Sequence, residues 1–178
     1  MKALATLILV WLSVHGVISQ NPETRKSPLD MATYKYKDAY VKVTYSRPAK
    51  KNREIFGKLV PLNQVWRTGA NEATEVTLTR DVTILGKAIA AGTYSLFTIP
   101  NENNWTVILN KEVGQWGSYN YNEKQDVARW EVPVLKSVDK SLEIFTIAFE
   151  NKNNIAILSI CWDDVCINLP IQFNEPRP

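Results

Sequence analysis

The chain has 178 residues, with two cysteines and one histidine, and its 21 basic and 18 acidic side chains give a formal net charge of +3. The basic residues are scattered among acidic ones, which excludes the basic stripe typical of nucleic-acid binding, so we predict no nucleic-acid partner. A chain of this length fits a single domain with a sizeable core.

Residues 1–19 have the pattern of a secretory signal. Lys2 carries the only positive charge, residues 3–14 are an apolar run, and small residues precede Ser19. About twelve apolar residues are too few to span a bilayer, which needs roughly 20. We therefore expect cleavage near Ser19, a periplasmic or secreted protein, and no membrane span after cleavage. The alternative is an uncleaved N-terminal anchor.

The only histidine, His15, lies within this predicted signal. A mature chain without imidazole cannot form a Ser-His-Asp triad, a Cys-His pair or a histidine metal site. The pair Cys161 and Cys166 alone cannot complete a zinc site either. We therefore predict no metal site and no cofactor, and any catalysis would have to use carboxylates, Lys, Tyr or Arg.

The rest of the chain is dominated by strand patterns. Residues 20–38 have prolines and charges without periodicity, which predicts an extended or partly disordered leader. Within residues 39–173, apolar side chains alternate with polar ones in about nine short segments separated by turns. This pattern predicts one all-β domain, an antiparallel β-sandwich of jelly-roll or Ig-like type, followed by a tail at 174–178. At most one short helical turn is expected, around 53–59.

The alternation also predicts which side chains form the core. Three tryptophans, Trp105, Trp130 and Trp162, lie within predicted strands and are expected to be buried. The other side chains expected to point inward are Val76, Leu78, Leu96, Ile108, Ile144 and Ile157.

A loop dense in directional polar groups precedes the strand around Val76. It contains Arg67, Asn71 and Glu72, and Gly69 is expected to supply a backbone angle that a side chain would forbid. Arg67 and Arg47 present planar forks suited to a carboxylate or phosphate, and Asn71 and Glu72 suit hydroxyl groups. The set therefore suggests a site for a sugar or a small anionic ligand. The alternative is that Glu72 pairs with one of these arginines and locks the loop.

An aromatic loop follows the strand that contains Trp105. Trp116, Tyr119 and Tyr121 lie there, interrupted by glycines. Such rings could stack on a sugar face or cover a cleft, or they could cap the end of the sandwich. If they act with the polar loop, the ligand-binding residues are Arg47, Arg67, Asn71, Glu72, Trp116 and Tyr119.

The two cysteines flank a predicted hairpin turn. If Asp163 and Asp164 form a two-residue turn, Cys161 lies directly opposite Cys166. Opposed Cβ atoms are about 4.5 to 5.5 Å apart, close to the roughly 3.5 to 4.5 Å of a disulfide. Export to an oxidising compartment favours the bond. The alternative is a pair of buried free thiols.

Several ordered motifs resemble one bacterial family, the domain of unknown function 2911. They are SRP at 46–48, IFG at 55–57, LVPLNQVWRTGANEAT at 59–74, AGTYSLFTIP at 91–100, WTVILN at 105–110 and QWGSYNY at 115–121. The resemblance implies an exported bacterial protein. It implies no activity and no catalytic residue, since none is established for that family.

Three functions are compatible with these patterns. A binding module requires that the polar and aromatic loops converge on an open cleft. A histidine-free hydrolase or lyase would use carboxylates such as Glu72, Glu54 or Asp126, and it requires two of them flanking that cleft at about 5 to 10 Å. A structural or partner-binding domain would show a large exposed apolar patch. The pattern does not predict an oligomeric state.

Overall fold

The computed structural model of the protein describes residues 25–137 and 140–174. The predicted signal at 1–19, the first part of the leader and the end of the tail lie outside the described residues. Export and cleavage near Ser19 therefore stay predictions. Within the described ranges, no helix is long and apolar enough to cross a membrane.

The described part of the chain forms twelve strands. They are Leu29–Tyr36 (β1), Ala39–Ser46 (β2), Thr74–Leu78 (β3), Val82–Ile84 (β4), Lys87–Ile89 (β5), Gly92–Ile99 (β6), Asn104–Asn110 (β7), Asp126–Pro133 (β8), Leu135–Lys136 (β9), Leu142–Lys152 (β10), Ile155–Asp163 (β11) and Val165–Phe173 (β12). One sheet has the order β1-β2-β3-β6-β7-β8, and the other has the order β10-β11-β12-β4-β5 with β9 paired to β12. All pairs are antiparallel, so the predicted all-β sandwich is confirmed.

The number of strands and the position of the helical turn differ from the prediction. Strands β1, β5 and β9 are additional to the nine expected. The helical turn among the described residues is a 3-10 turn at Glu123–Gln125, whereas residues 53–59 form turns and an isolated bridge. Asn122 caps the 3-10 turn by accepting a hydrogen bond from the Lys124 amide at 3.1 Å. This side-chain cap gives the turn a local cause.

Strand β1 lies within the segment expected to be an extended leader. It pairs with β2 along its whole length, from Leu29 opposite Ser46 to Tyr36 opposite Ala39. Tyr34 and Tyr36 stack on Phe173 of the other sheet, with ring centroids 6.3 and 5.4 Å apart. The first sheet therefore begins inside residues 20–38.

The core lies between the two sheets. Val76, Leu78 and Leu96 are buried there as predicted, and so are Trp105, Trp130 and Trp162. Ile108 is also buried, but it belongs to a separate small cluster with Ala73 and Phe97. The first sheet is thus covered locally on both faces.

Two predicted core positions are wrong. Ile144 is 37% exposed, and Ile157 is only half-buried. The inward positions in their strands are taken by their neighbours, among them Phe145 and Leu158. Both strands have apolar residues on both faces, so the alternation could not decide which set faces the core.

The hairpin that joins β11 to β12 has the predicted register. Trp162 pairs with Val165 and Cys161 pairs with Cys166, leaving Asp163 and Asp164 as the turn. A disulfide joins Cys161 to Cys166, which confirms the expected pairing over the free-thiol alternative. Because it closes a very short loop across one hairpin, its stabilising effect is local rather than global.

The turn carboxylate of Asp163 is part of a small polar cluster. It accepts hydrogen bonds from the Lys50 ammonium and from the Ser141 hydroxyl, the latter at 2.6 Å. Burial by itself would raise the pKa of Asp163, but these two hydrogen bonds outweigh it and hold the pKa below its usual range. A carboxylate whose pKa is lowered by folding stabilises the fold above its unfolded pKa, and this contribution disappears as the pH falls through the folded pKa.

We expect Asp163→Asn to lower the unfolding free energy by about 1 to 2 kcal/mol at pH 7, because one charged partner of a partly exposed pair is lost. Asparagine tolerates the left-handed conformation of this position, φ 55°. The difference from the wild type should shrink as the pH falls below about 4, where the unfolded aspartate protonates. Urea unfolding at pH 7 and pH 3 measures this difference in unfolding free energy, with Asp164→Asn as the neighbouring control. Equal stability of Asp163→Asn and wild type at pH 7 would contradict the prediction.

A tyrosine of the first sheet reaches the edge of the second. The hydroxyl of Tyr45 in β2 accepts a hydrogen bond from the Ile147 amide in β10 at 3.0 Å. It donates to the Ile147 carbonyl at 3.2 Å, with the Asp30 carboxylate as an alternative acceptor at 3.3 Å. Since β10 is an edge strand of its sheet, this hydroxyl occupies main-chain groups that no strand of the described residues pairs.

Candidate functional site

The two loops singled out from the sequence meet in the structure. The Arg67 loop comprises residues 64–73 before β3, and the Tyr119 loop comprises residues 111–122 after β7. The Ala73 amide donates to the Gln115 carbonyl at 2.9 Å, and the Gly117 amide donates to the Asn71 carbonyl at 3.0 Å. The Ser118 hydroxyl also donates to the Val65 carbonyl at 3.1 Å. These bonds hold the two loops together as one unit.

Trp66 fixes the Arg67 loop to the core. Its amide and carbonyl bond to Thr98 of β6 at 2.7 and 2.9 Å, which places the residue beside the sheet. Its ring stacks on Trp162 and makes edge contacts with Phe56, Trp105 and Phe145. The indole N–H donates to the Gly69 carbonyl at 3.0 Å, so the side chain also sets the path of the following turn.

The turn after Arg67 has an unusual backbone. Thr68, Gly69 and Asn71 have φ angles of 53°, 154° and 58°. A left-handed conformation is costly for a β-branched residue, and such strain is found where the surrounding structure imposes it. Here the Thr74 hydroxyl donates to the Thr68 carbonyl at 2.6 Å. The expectation for Gly69 is confirmed, because side chains rarely adopt its φ angle of 154°. An added Cβ would also lie 3.0 Å from the Ser46 carbonyl oxygen.

An open cleft of about 560 Å³ lies beside this turn. We call it the Arg67 cleft. Its polar lining residues are Ser27, Arg53, Gln64, Arg67, Asn71, Ser118 and Tyr119. Its larger apolar lining residues are Pro48, Leu59, Val60, Pro61, Val65, Trp66 and Trp162. Among the described residues that line it, two are basic and none is acidic, so the cleft favours a negatively charged ligand.

Arg67 is the most unusual side chain of the cleft. It is half-buried, and its Nε is closed off from solvent. Among the residues that the structure describes, no hydrogen bond and no ion pair reaches its guanidinium. Burial lowers the pKa of Arg67, while the Tyr119 phenol acts in the opposite direction. An arginine still remains charged in a protein, so this cation lacks the partner that buried charges normally have.

Arg47 does not belong to the cleft. Its Nε donates to the Phe145 carbonyl at 3.2 Å, one Nη donates to the Thr146 hydroxyl at 3.0 Å, and the other pairs with Asp30 at 3.1 Å. Because its donors are directed at β10 and β1, the structure places this arginine between the sheets rather than with Arg67.

Glu72 and Asn71 have different roles. Glu72 forms an ion pair with Arg25 at 2.8 Å and does not line the cleft. It is therefore engaged within the protein, as in the lock alternative, but its partner is neither Arg47 nor Arg67. Asn71 lines the cleft, and its amide donates to the Ser27 carbonyl at 3.2 Å and to the Ser46 hydroxyl at 3.3 Å.

The aromatic residues of the Tyr119 loop also occupy different positions. Tyr119 is 82% exposed and lines the cleft, whereas Trp116 is 54% exposed and is bridged through its main chain to Glu72. Tyr121 packs on Phe97 with ring centroids 5.1 Å apart. One ring therefore lies at the cleft, and another packs against the small cluster that contains Phe97.

The sequence was compared with models of known protein families. Residues 27–171 match DUF2911, a protein of unknown function. The chain belongs to the DUF2911 family. No match was found among curated proteins or among solved structures. In this DUF2911 chain the matched region contains both loops and all the lining residues of the Arg67 cleft, whereas Arg25 lies outside it.

The carboxylates proposed for a hydrolase lie elsewhere. Glu54 lines a second cavity of about 460 Å³ together with Glu102, Asp163 and Asp164. Asp126 accepts hydrogen bonds from Tyr121, Arg129 and Asn110 at 2.6, 2.6 and 2.8 Å. Glu72 lines a further cavity of about 200 Å³ together with Glu75. None of the three proposed carboxylates therefore lines the Arg67 cleft. Across 25–137 and 140–174, no group of three or more metal-ligating side chains is close enough to hold a metal ion.

Sequence reasoning missed several lining residues. Ser118 lies within the motif QWGSYNY, where the aromatic neighbours are the stronger signal. Ser27 lies in the leader, where no local pattern marked it, and it reaches the cleft because β1 continues the first sheet beside β2. The same strand brings Arg25 to Glu72.

Proposed function

We propose that this protein is a binding module for a small anionic ligand, which is held in the Arg67 cleft. The observation that carries the proposal is the half-buried guanidinium of Arg67, which has no partner among the described residues and lies in an open cleft that none of their acidic side chains lines. An anion bound there would offset the cost of leaving this charge without a partner, and charged hydrogen bonds are worth about 1.5 to 3 kcal/mol each.

The rigidity of the loop supports the same proposal. Trp66 and Thr98 hold the loop on the sheet, and the bonds between the Arg67 and Tyr119 loops fix the two sides of the cleft together. A site held in its binding geometry before the ligand arrives loses less conformational entropy on binding. A neutral sugar is less favoured, because carboxylates, which commonly accept sugar hydroxyls, do not line the cleft among the described residues.

The test is thermal unfolding with acetate, benzoate, hexanoate, inorganic phosphate and sulfate. At a concentration of 100 times Kd, a ligand of the folded state adds about 2.7 kcal/mol, or about 5 to 10 °C in Tm for a domain of this size. We expect at least one anion to raise the Tm of the wild type, and Arg67→Gln to weaken its binding by about 10- to 100-fold.

Arg67→Gln should fold as stably as the wild type, because no ion pair is lost. Arg80→Gln is the matched control: Arg80 pairs with Asp38 outside the cleft, so its removal should leave anion binding unchanged. The proposal is wrong if none of the anions raises the Tm of the wild type, or if Arg67→Gln binds them as tightly as Arg80→Gln.

A further inference from the structure

The lining of the Arg67 cleft is chemically mixed. Arg67, Asn71 and Ser118 contribute polar groups, whereas the consecutive residues Leu59, Val60 and Pro61 form an apolar stretch of the lining, which we call the apolar wall. Leu59 is 42% exposed although it is a large aliphatic residue. A fully polar anion would leave this apolar surface in contact with water.

Of the two guanidinium groups in the cleft, only that of Arg67 makes no hydrogen bond among the described residues. Arg53 is the second basic lining residue, but its Nε donates to the Lys50 carbonyl at 2.9 Å and one Nη donates to the Ala49 carbonyl at 2.5 Å. No lysine lines the cleft among the described residues. Sites for phosphate chains usually combine several cations, a metal ion or a row of backbone amides, so a polyphosphate would be poorly neutralised here.

The size of the cleft indicates a ligand larger than an inorganic ion. A volume of about 560 Å³ falls within the range of sites that enclose small organic molecules. Acetate or phosphate would fill only a small part of it. The apolar wall and the exposed ring of Tyr119 also line the cleft and are available to a larger ligand.

From these features we infer that the ligand is an organic monoanion with an apolar body, a carboxylate of the aliphatic or aromatic acid class. The carboxylate lies against the Arg67 guanidinium, where its two oxygens match the planar fork. The apolar body lies along Leu59, Val60 and Pro61. This inference rests on the proposed function and specifies the class of ligand that the same cleft takes.

The test is calorimetric titration of the purified protein with acetate, butyrate, hexanoate and octanoate. Each methylene buried against the apolar wall should tighten binding about three- to fourfold until the cleft is full. Hexanamide, which has the same body without the charge, should bind at least 10-fold more weakly than hexanoate. Pyrophosphate should bind more weakly than hexanoate.

Two variants separate the head from the body of the ligand. Leu59→Ser should reduce the gain per methylene and leave acetate binding unchanged, and it should fold normally because Leu59 is exposed. Leu85→Ser is the matched control, since Leu85 is 49% exposed and lies outside the cleft lining. Arg67→Gln should weaken every carboxylate by a similar factor.

The outcomes distinguish this inference from the proposed function. One outcome is that binding depends on Arg67 but the affinity does not increase from acetate to hexanoate. Another is that pyrophosphate binds more tightly than hexanoate. In either case the anion site is supported, and the inference that the ligand has an apolar body is wrong. If hexanamide binds as tightly as hexanoate and Arg67→Gln has no effect, both the anion site and the carboxylate class are wrong. A chain-length gain that Leu59→Ser reduces and Leu85→Ser does not would support the inference.

Discussion

Replacing Trp66 with alanine should lower the free energy of unfolding by about 3 to 5 kcal/mol, the usual cost of deleting a large buried aromatic side chain. Trp66 is 7% exposed, and its ring contacts four other aromatic rings of the core. Its indole also donates to the Gly69 carbonyl at 3.0 Å, so the substitution removes a buried hydrogen bond together with the packing. Chemical unfolding followed by circular dichroism measures the change.

Trp116→Ala is the matched control for this prediction. It removes the same side chain from the neighbouring loop, at a position that is 54% exposed, and should cost less than about 1 kcal/mol. Similar losses for the two variants would mean that Trp66 does not anchor the loop to the core. Trp66→Phe should be more stable than Trp66→Ala, since a smaller ring fills part of the space. This result would support the packing explanation.

Gly69→Ala should destabilise the protein by about 2 to 4 kcal/mol, because it combines backbone strain with a close approach. The φ angle of 154° is one that side chains rarely adopt, and the added Cβ would lie 3.0 Å from the Ser46 oxygen and 3.3 Å from the Thr74 hydroxyl. The backbone oxygen belongs to a paired strand and cannot move away easily. Displacement of the turn would also shift Arg67, so the affinity for anions should decrease together with the stability.

The matched control for Gly69 is Gly86→Ala. Gly86 has a φ angle of 80°, but an added Cβ would meet nothing within 4 Å. The loss of unfolding free energy in Gly86→Ala should therefore reflect backbone strain alone, at about 1 kcal/mol. Comparison of unfolding midpoints separates the two causes, and equal losses would show that the contact with Ser46 is not important.

Local features of the fold were predictable from the sequence. The hairpin around Asp163 and Asp164 followed from a two-residue turn between alternating segments, and that turn alone determines that Cys161 faces Cys166. The loop containing Arg67 was recognisable because its directional polar groups and glycine contrast with the strands on either side. In each case the information lies within a few residues of the feature.

Long-range pairing was not predictable in the same way. Arg25 lies 47 residues before Glu72, and no local pattern indicates that β1 brings them together. The choice of Phe145 over Ile144 as a core residue also depends on packing against the other sheet, because β10 is apolar on both faces. Arg47 and Arg67 have the same side chain, but β10 and β1 supply acceptors for Arg47, whereas Arg67 has no hydrogen-bond partner among the described residues.

The contact of Tyr45 with Ile147 has a consequence for self-association. Exposed edge strands are the usual sites where one chain recruits another into a growing intermolecular sheet. At the β10 edge, Tyr45 already occupies both main-chain groups of Ile147, and the segment around Ala49 pairs with Ile144. A second molecule would have to displace these contacts before adding a strand there. Recruitment at this edge is therefore restricted to the part of β10 beyond Ile147, which should limit aggregation when the protein is concentrated.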